Sequence, residues 1–202
     1  MPPKALTPRR VMLAATAVAL AAMVITASGR QTSGAWSPYV DSDGNINVPR
    51  DYRLWAFLGS WYVVAKGSND TAGAPGFHTV YTQPRSVEHY LKTGTFPDGA
   101  VLVKELLKVG TGELTTGDAR WPTDVEGWFV MVKDTQGRHA GNPLWGNGWG
   151  WAFFTVDDPN KTTTRNWRIE CLGCHVPAKT TDWVYTHGYP LLQHPTRQVG
   201  LP

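Results

Sequence analysis

The stretch Glu170-Cys171-Leu172-Gly173-Cys174-His175 constrains this chain more than any other, because it holds the only two cysteines among 202 residues and sets a histidine directly after the second. Cys-x-x-Cys-His is the attachment signature of c-type haem. Cysteines three apart on one helical turn point the same way, so each can add across one haem vinyl group, and His175, one turn beyond Cys171, reaches the iron from the same face. The motif therefore predicts one haem c, covalently held through two thioethers by Cys171 and Cys174, with His175 as the metal ligand. Three other readings use the same residues. A structural zinc site needs four protein ligands, and no second cysteine pair completes it. A thioredoxin-like redox pair belongs at a helix start within a βαβ unit, a pattern that is missing here. A plain disulfide leaves His175 without a role but stays open for an exported chain.

Export is predicted by the N-terminus. Residues 1–10 are positively charged, Val11 to Ala27 is an apolar or small run, and Ser28-Gly29 offers small residues for cleavage, so residues 1–27 read as a signal peptide and the protein as periplasmic. A run of 17 residues is long for a signal and short for a spanning helix, so an N-terminal membrane anchor is the second reading. Cutting after Ala27 removes Lys4, Arg9 and Arg10 and leaves 16 basic against 16 acidic residues. A near-neutral mature chain gives no reason to expect a nucleic-acid partner or a polybasic membrane surface.

Residues 28–50, rich in Gly, Ser, Asp, Asn and Pro, read as a flexible leader, residues 51–192 as one haem-binding domain, and residues 193–202 as a tail. Within the domain, Ser60 to Ala65, Phe77 to Thr82, Ala100 to Val109, Trp128 to Lys133 and Trp149 to Val156 are expected strands. Pro84 opens a helix with Val87, Tyr90 and Leu91 on its apolar side and Gly94 at its end. The stretch from Gly137 to Gly148 reads as a Gly/Asn-rich link, and a helix after Asn166 is expected to carry the cysteine motif. Strands before helices, without regular βαβ alternation, predict an α+β fold: mainly antiparallel sheet, few helices, the C-terminal one bearing the haem motif. Ten tryptophans suit either the walls of a haem pocket or an aromatic-rich β core.

In the strand from Ala100, Val101, Val103, Leu107 and Val109 share one face, while Leu102, Lys104, Leu106 and Lys108 share the other. An ammonium between Leu102 and Leu106 is unusual, although Lys108 on the same face allows both lysines to be snorkelling surface residues. No methionine follows the motif, and after the signal only Met131 remains. Without a downstream methionine ligand the iron is expected to be five-coordinate, with an open face for a small ligand. His89, His139, His187 and His194 read as surface or packing residues.

Over roughly residues 50–192 the chain resembles the cytochrome P-460 family. The stretches that carry this are Thr79-Val80-Tyr81 before Pro84, Lys92-Thr93-Gly94, Asp98-Gly99 leading into Val103-Lys104-Glu105-Leu106, Val132-Lys133-Asp134, Gly148-Trp149-Gly150-Trp151-Ala152-Phe153, and the cysteine motif followed by Thr181-Asp182-Trp183-Val184-Tyr185-Thr186. The resemblance implies a homodimeric, mainly antiparallel β fold and a periplasmic haem protein that oxidises hydroxylamine, passing electrons to a redox partner. Relatives called cytochromes c′-beta bind nitric oxide without that activity. In the hydroxylamine-oxidising members a lysine of the Val-Lys-Glu-Leu segment is bonded to a haem meso carbon, and Lys104 matches it. Two positions depart from those enzymes. His78 stands where they have an arginine before Thr-Val-Tyr, and Phe129 stands where they place a distal glutamate three residues before Val-Lys-Asp. Phenylalanine cannot accept the proton that amine oxidation releases. Glu126 faces the opposite side in a regular strand, though a bulge at Gly127 would bring it round.

The sequence thus leads to a mono-haem c-type cytochrome acting on hydroxylamine or nitric oxide, with Lys104, Phe129 and His78 expected at the reacting face. A nitric oxide-binding protein without catalysis and a simple electron carrier are the alternatives.

Overall fold

A computed structural model describes residues 36–64 and 75–193. The expected signal peptide, the loop after Val64 and nearly all of the tail, including His194, lie outside the described residues. Six strands, β1 (Ala56–Val63), β2 (Gly76–Thr82), β3 (Val101–Leu114), β4 (Gly117–Lys133), β5 (Trp145–Gly146) and β6 (Trp149–Thr155), form one sheet in the order β1-β2-β3-β4-β6-β5. Every pairing is antiparallel. One helix of more than two turns, α1 (Pro84–Thr93), bridges β2 and β3.

Alternation assigns the faces. Val80, Leu102 and Met131 lie in one buried cluster with Trp149 and Trp151, while Val101, Val103, Val130, Val132 and Phe154 lie in another. Burying each such side chain contributes about 1.5–3 kcal/mol, so a strand with apolar residues on both faces is stable only where both are covered. On the first face the cover is α1 and the C-terminal turns, through Val87, Tyr90, Trp167, Val184 and Tyr189. On the second it is the segment before β1, through Val40, Ile46 and Tyr52, with Leu144 and Trp145 from the link before β6. Residues 36–50, read from sequence as leader, therefore include core: Ile46 is 2% exposed, Val40 and Ile46 form a β-bridge, and Trp145 Nε1 donates to the Gly44 carbonyl. Their polar composition serves turns, as where Asp41 Oδ1 accepts from the amides of Asp43 and Asn45.

The second face also buries a charge. Glu105, 2% exposed, accepts from Tyr52 Oη at 2.5 Å and from the Arg53 guanidinium, and Tyr52 Oη accepts in turn from Trp128 Nε1 at 2.9 Å. Burial, together with the Glu105 carboxylate, pushes the Tyr52 phenol up to about 12. A carboxylate this deep persists because donors surround it.

α1 begins at Pro84, which fits the first helical position, and ends at Gly94 in the left-handed region (φ 75°), whose amide donates to the Tyr90 carbonyl. β3 and β4 run well past the expected strands as a long hairpin to Leu114 and Gly117. Its outer part is poor in β-branched alternation, and the local pairing of the two arms carries it. β4 holds more residues than β3 across the middle of this ladder. Leu106 pairs with Gly127 and Leu107 with Val125, which leaves Glu126 as the extra residue of a bulge.

The cysteine motif departs from the expected single helix. It spans two one-turn helices, α2 (Trp167–Glu170) and α3 (Leu172–His175), broken at Cys171 (φ −120°, ψ −40°). Gly173 inside the motif weakens a continuous helix by about 1 kcal/mol, and Pro177 blocks its extension. A succession of short 3₁₀ turns, Val176–Thr181, Thr186–Gly188 and Pro190–Leu192, ends the described residues.

Candidate functional site: an apolar cavity between the sheet and the cysteine motif

Between the first face of the sheet and the turns α2 and α3 lies a cavity of about 460 Å³. This falls within the roughly 300–1,000 Å³ range of small-molecule and cofactor sites. The sheet supplies His78 and Val80 from β2, Leu102, Lys104 and Leu106 from β3, Phe129 and Met131 from β4, and Trp151 and Phe153 from β6. The other wall is Cys171, Cys174 and His175, with Tyr185 and Tyr189. All six site residues read from the sequence, His78, Lys104, Phe129, Cys171, Cys174 and His175, thus line one space. Strand register explains this: Lys104 pairs with Phe129, Phe129 with Phe153, and Leu106 with His78, so their side chains share a face.

His175 is held like a metal ligand. Its Nδ1 lies 2.7 Å from the Trp183 carbonyl oxygen, an acceptor that fixes the proton on Nδ1 and leaves Nε2 with its lone pair. The ring packs edge-on against Trp151, with centroids 4.7 Å apart. Burial lowers its pKa, the Trp183 bond opposes this, and the Lys104 charge lowers it further, so the imidazole is neutral, the form that binds iron.

The cysteines are free thiols in unlike settings, Cys171 buried and Cys174 exposed. Burial, the neighbouring Glu170 and Cys174 push the Cys171 thiol up to about 11, with Lys104 opposing. Tyr185 Oη donates to the Cys174 carbonyl at 2.5 Å and ties the end of the motif to the following turns.

Lys104 is half-buried, with its Nζ 4.4 Å from the centre of the Phe129 ring. Burial lowers its pKa while the Cys174 and Cys171 sulfurs oppose the shift, which brings the neutral amine closer to neutral pH. Lys108, by contrast, is exposed in the outer part of the same strand and faces Asp124 at 3.8 Å. The two lysines of this strand face therefore part company, and the snorkelling reading holds for Lys108 alone. Phe129 stacks on Phe153 at 4.4 Å, an aromatic wall of which the sequence reading had only half. Phe153 was legible, since it follows Trp149 by four residues and Trp151 by two on one strand face. The Trp183 carbonyl was not, because a backbone acceptor has no letter of its own.

The bulge falls where the sequence allowed one, at Glu126 beside Gly127, but among the described residues Glu126 does not line the cavity. Gly127 is needed there because a Cβ would crowd the Phe154 carbonyl and the Phe153 ring. Among the described lining residues the one carboxylate is Glu170, and its Oε1 is occupied by the amides of Arg165 and Asn166, both at 3.0 Å.

A haem fits this donor set. The cavity is mainly apolar, a neutral histidine presents a free Nε2, and two unbonded thiols line the same wall. No curated protein matches the chain. The chain does match the family described as Cytochrome P460 across residues 49–186, which take in all six strands, the cysteine motif and the Trp183 carbonyl. The match covers more than half of the chain and takes in the strands and the motif turns that line the cavity: the chain belongs to the cytochrome P460 family, and the cofactor its family implies is haem.

Proposed function

We propose that the protein is an exported mono-haem c-type cytochrome whose open face takes up a small neutral nitrogen compound, nitric oxide foremost. Cys171 and Cys174 would form the two thioethers and His175 the axial bond through Nε2. The haem supplies the iron that binds the ligand and the redox couple through which electrons pass to a partner protein. His175, fixed by the Trp183 carbonyl, would hold that iron through its free Nε2. Phe129 and Phe153 present an aromatic wall that would favour a neutral diatomic over water. This wall is the observation that carries the reading, since it puts an apolar ring, which cannot take a proton, at the position where the resemblance implies a proton-accepting carboxylate.

A second reading, oxidation of hydroxylamine, is favoured by Lys104. Its lowered pKa makes the amine available as a nucleophile toward a haem edge, and it stands in the same cavity as both cysteines. His78, on the same wall, would then be the remaining side chain able to relay a proton. Export rests on the charged and apolar N-terminal 27 residues, and a homodimer on the family resemblance.

Protein from a host competent for haem attachment tests both readings. A haem mass on the peptide holding Cys171 and Cys174, with rapid uptake of nitric oxide or carbon monoxide by a high-spin ferrous form, is expected. Haem-free protein, or a six-coordinate low-spin spectrum, would refute the proposal. A further bond to the Lys104 peptide together with hydroxylamine turnover by an artificial electron acceptor would replace the first reading with the second.

A further inference from the structure

The carbonyl that orients His175 sits in an improbable piece of backbone. Asp182 (φ 56°, ψ 38°) and Trp183 (φ 67°) are successive non-glycine residues in the left-handed region, a conformation that persists only where surroundings over-determine it. What does so here is a buried ion pair. Lys133 Nζ meets Asp182 Oδ1 at 2.5 Å, with the two side chains only 10% and 8% exposed. The second carboxylate oxygen, Oδ2, accepts the Phe96 amide at 2.8 Å, and the Asp182 carbonyl accepts Trp149 Nε1 at 3.1 Å. Lys133, the last residue of β4, lies over the Trp149 ring at 4.7 Å, and the Trp183 amide donates to the Ala178 carbonyl at 2.8 Å. Both ends of the pair are thus anchored, one in the sheet and one in the loop.

We propose that Lys133 and Asp182 are positioning residues for the axial histidine: their ion pair holds the Asp182–Trp183 turn so that the Trp183 carbonyl stays on His175 Nδ1, and so sets how strongly the imidazole donates to the haem iron. The inference rests on the reading of His175 as that ligand. A hydrogen bond to the far nitrogen raises the basicity of a metal-bound imidazole, and axial donation is one of the levers on haem potential. Neither residue need touch the haem for this.

The test compares holo variants by the iron–histidine stretching frequency in resonance Raman and by reduction potential. Asp182→Asn removes the charge yet keeps an acceptor for Phe96, and Asp182→Gly removes both carboxylate contacts while keeping the carbonyl that accepts Trp149 Nε1, in a residue that takes a positive φ without strain. Both are expected to shift the frequency down and the potential up, while Lys133→Arg keeps the pair and stays at the wild-type values. Glu105→Gln, which alters an equally buried carboxylate on the opposite face, is expected to lower stability and move neither reading. Wild-type values in both Asp182 variants would overturn the inference, as would an equal shift in the Glu105 variant. A wild-type chain that attaches no haem would instead refute the proposed function, and this inference with it.

Discussion

The two faces of the sheet are made from the same strands and nearly the same alphabet, yet one is filled and the other is hollow. On the filled face Val101, Val103, Val130, Val132 and Phe154 are no more than 0% exposed and close against Ile46, Tyr52 and Trp145. On the hollow face the neighbours of those residues, Leu102, Lys104, Phe129, Met131 and Phe153, look into the cavity. The lesson is that alternation tells which residues share a face, and the covering segment decides whether that face is core or site. Charge follows the same division. Glu105 on the filled face is ringed by Tyr52 and Arg53, whereas Lys104, one residue earlier, has the Phe129 ring beneath it.

The largest expected effect is on the filled face. Phe154→Ala should lose about 3–5 kcal/mol in denaturant unfolding, while Phe129→Ala in the haem-free protein should lose under about 1 kcal/mol, because its side chain already borders empty space. Equal losses at the two positions would break the comparison. Next, Phe129→Glu puts a carboxylate into the hollow face near Lys104 and should raise hydroxylamine turnover on the order of 100-fold, measured with an artificial acceptor; no gain in a haem-loaded variant would show that the aromatic wall is not what limits that chemistry. Glu105→Gln should cost about 1–3 kcal/mol by thermal unfolding with carbon monoxide uptake unchanged, since its bonds all lie on the filled face.

The smallest effect is acid loosening at Asp98. Burial raises its pKa, but bonds from Arg138, Thr135 and Trp36 outweigh burial and hold it at about 2. A carboxyl whose folded pKa is depressed stabilises above its unfolded value near 3.8 and loses that contribution as pH falls toward 2. Because the partners are partly exposed, the loss is about 1 kcal/mol after screening, and Asp98→Asn should flatten this part of the stability–pH curve. Trp36, whose Nε1 donates to Asp98 at 2.7 Å, packs against the filled-face cluster, so its fluorescence should report the change.

Much of this was legible in the sequence where side chains repeat. The strand around Lys104, the strand at Trp149, the helix from Pro84 to Gly94 and the convergence of Lys104 and Phe129 all follow from period-two or period-3.6 spacing and a terminal glycine. Legibility fell where backbone geometry or tertiary cover decides. Residues 36–50 look like leader because turns need polar residues, yet Ile46 plugs the core. The outer hairpin has Gly110, Gly112 and Pro122 in place of alternation, and its arms are held by each other. Gly173 and Pro177 mark the motif helix as weak and short, but the break itself falls at Cys171, a position that no local propensity announces. The carboxylate question at Glu126 turned on a bulge that was foreseen and on a side-chain placement that was not.

The inequality of the two cysteines has a consequence for handling the protein before its cofactor is in place. Cys171 is shielded and its thiol held up to about 11, so almost none of it is thiolate at neutral pH, whereas Cys174 stands in solvent. Alkylating reagents and small disulfides will therefore meet Cys174 first, and a chain stored without haem will collect adducts on that sulfur while Cys171 stays intact. Such a chain still presents the Cys171 thiol and the His175 ring but would lack one of the two proposed tethers, so a reductant during purification would protect the proposed attachment at Cys174 in particular.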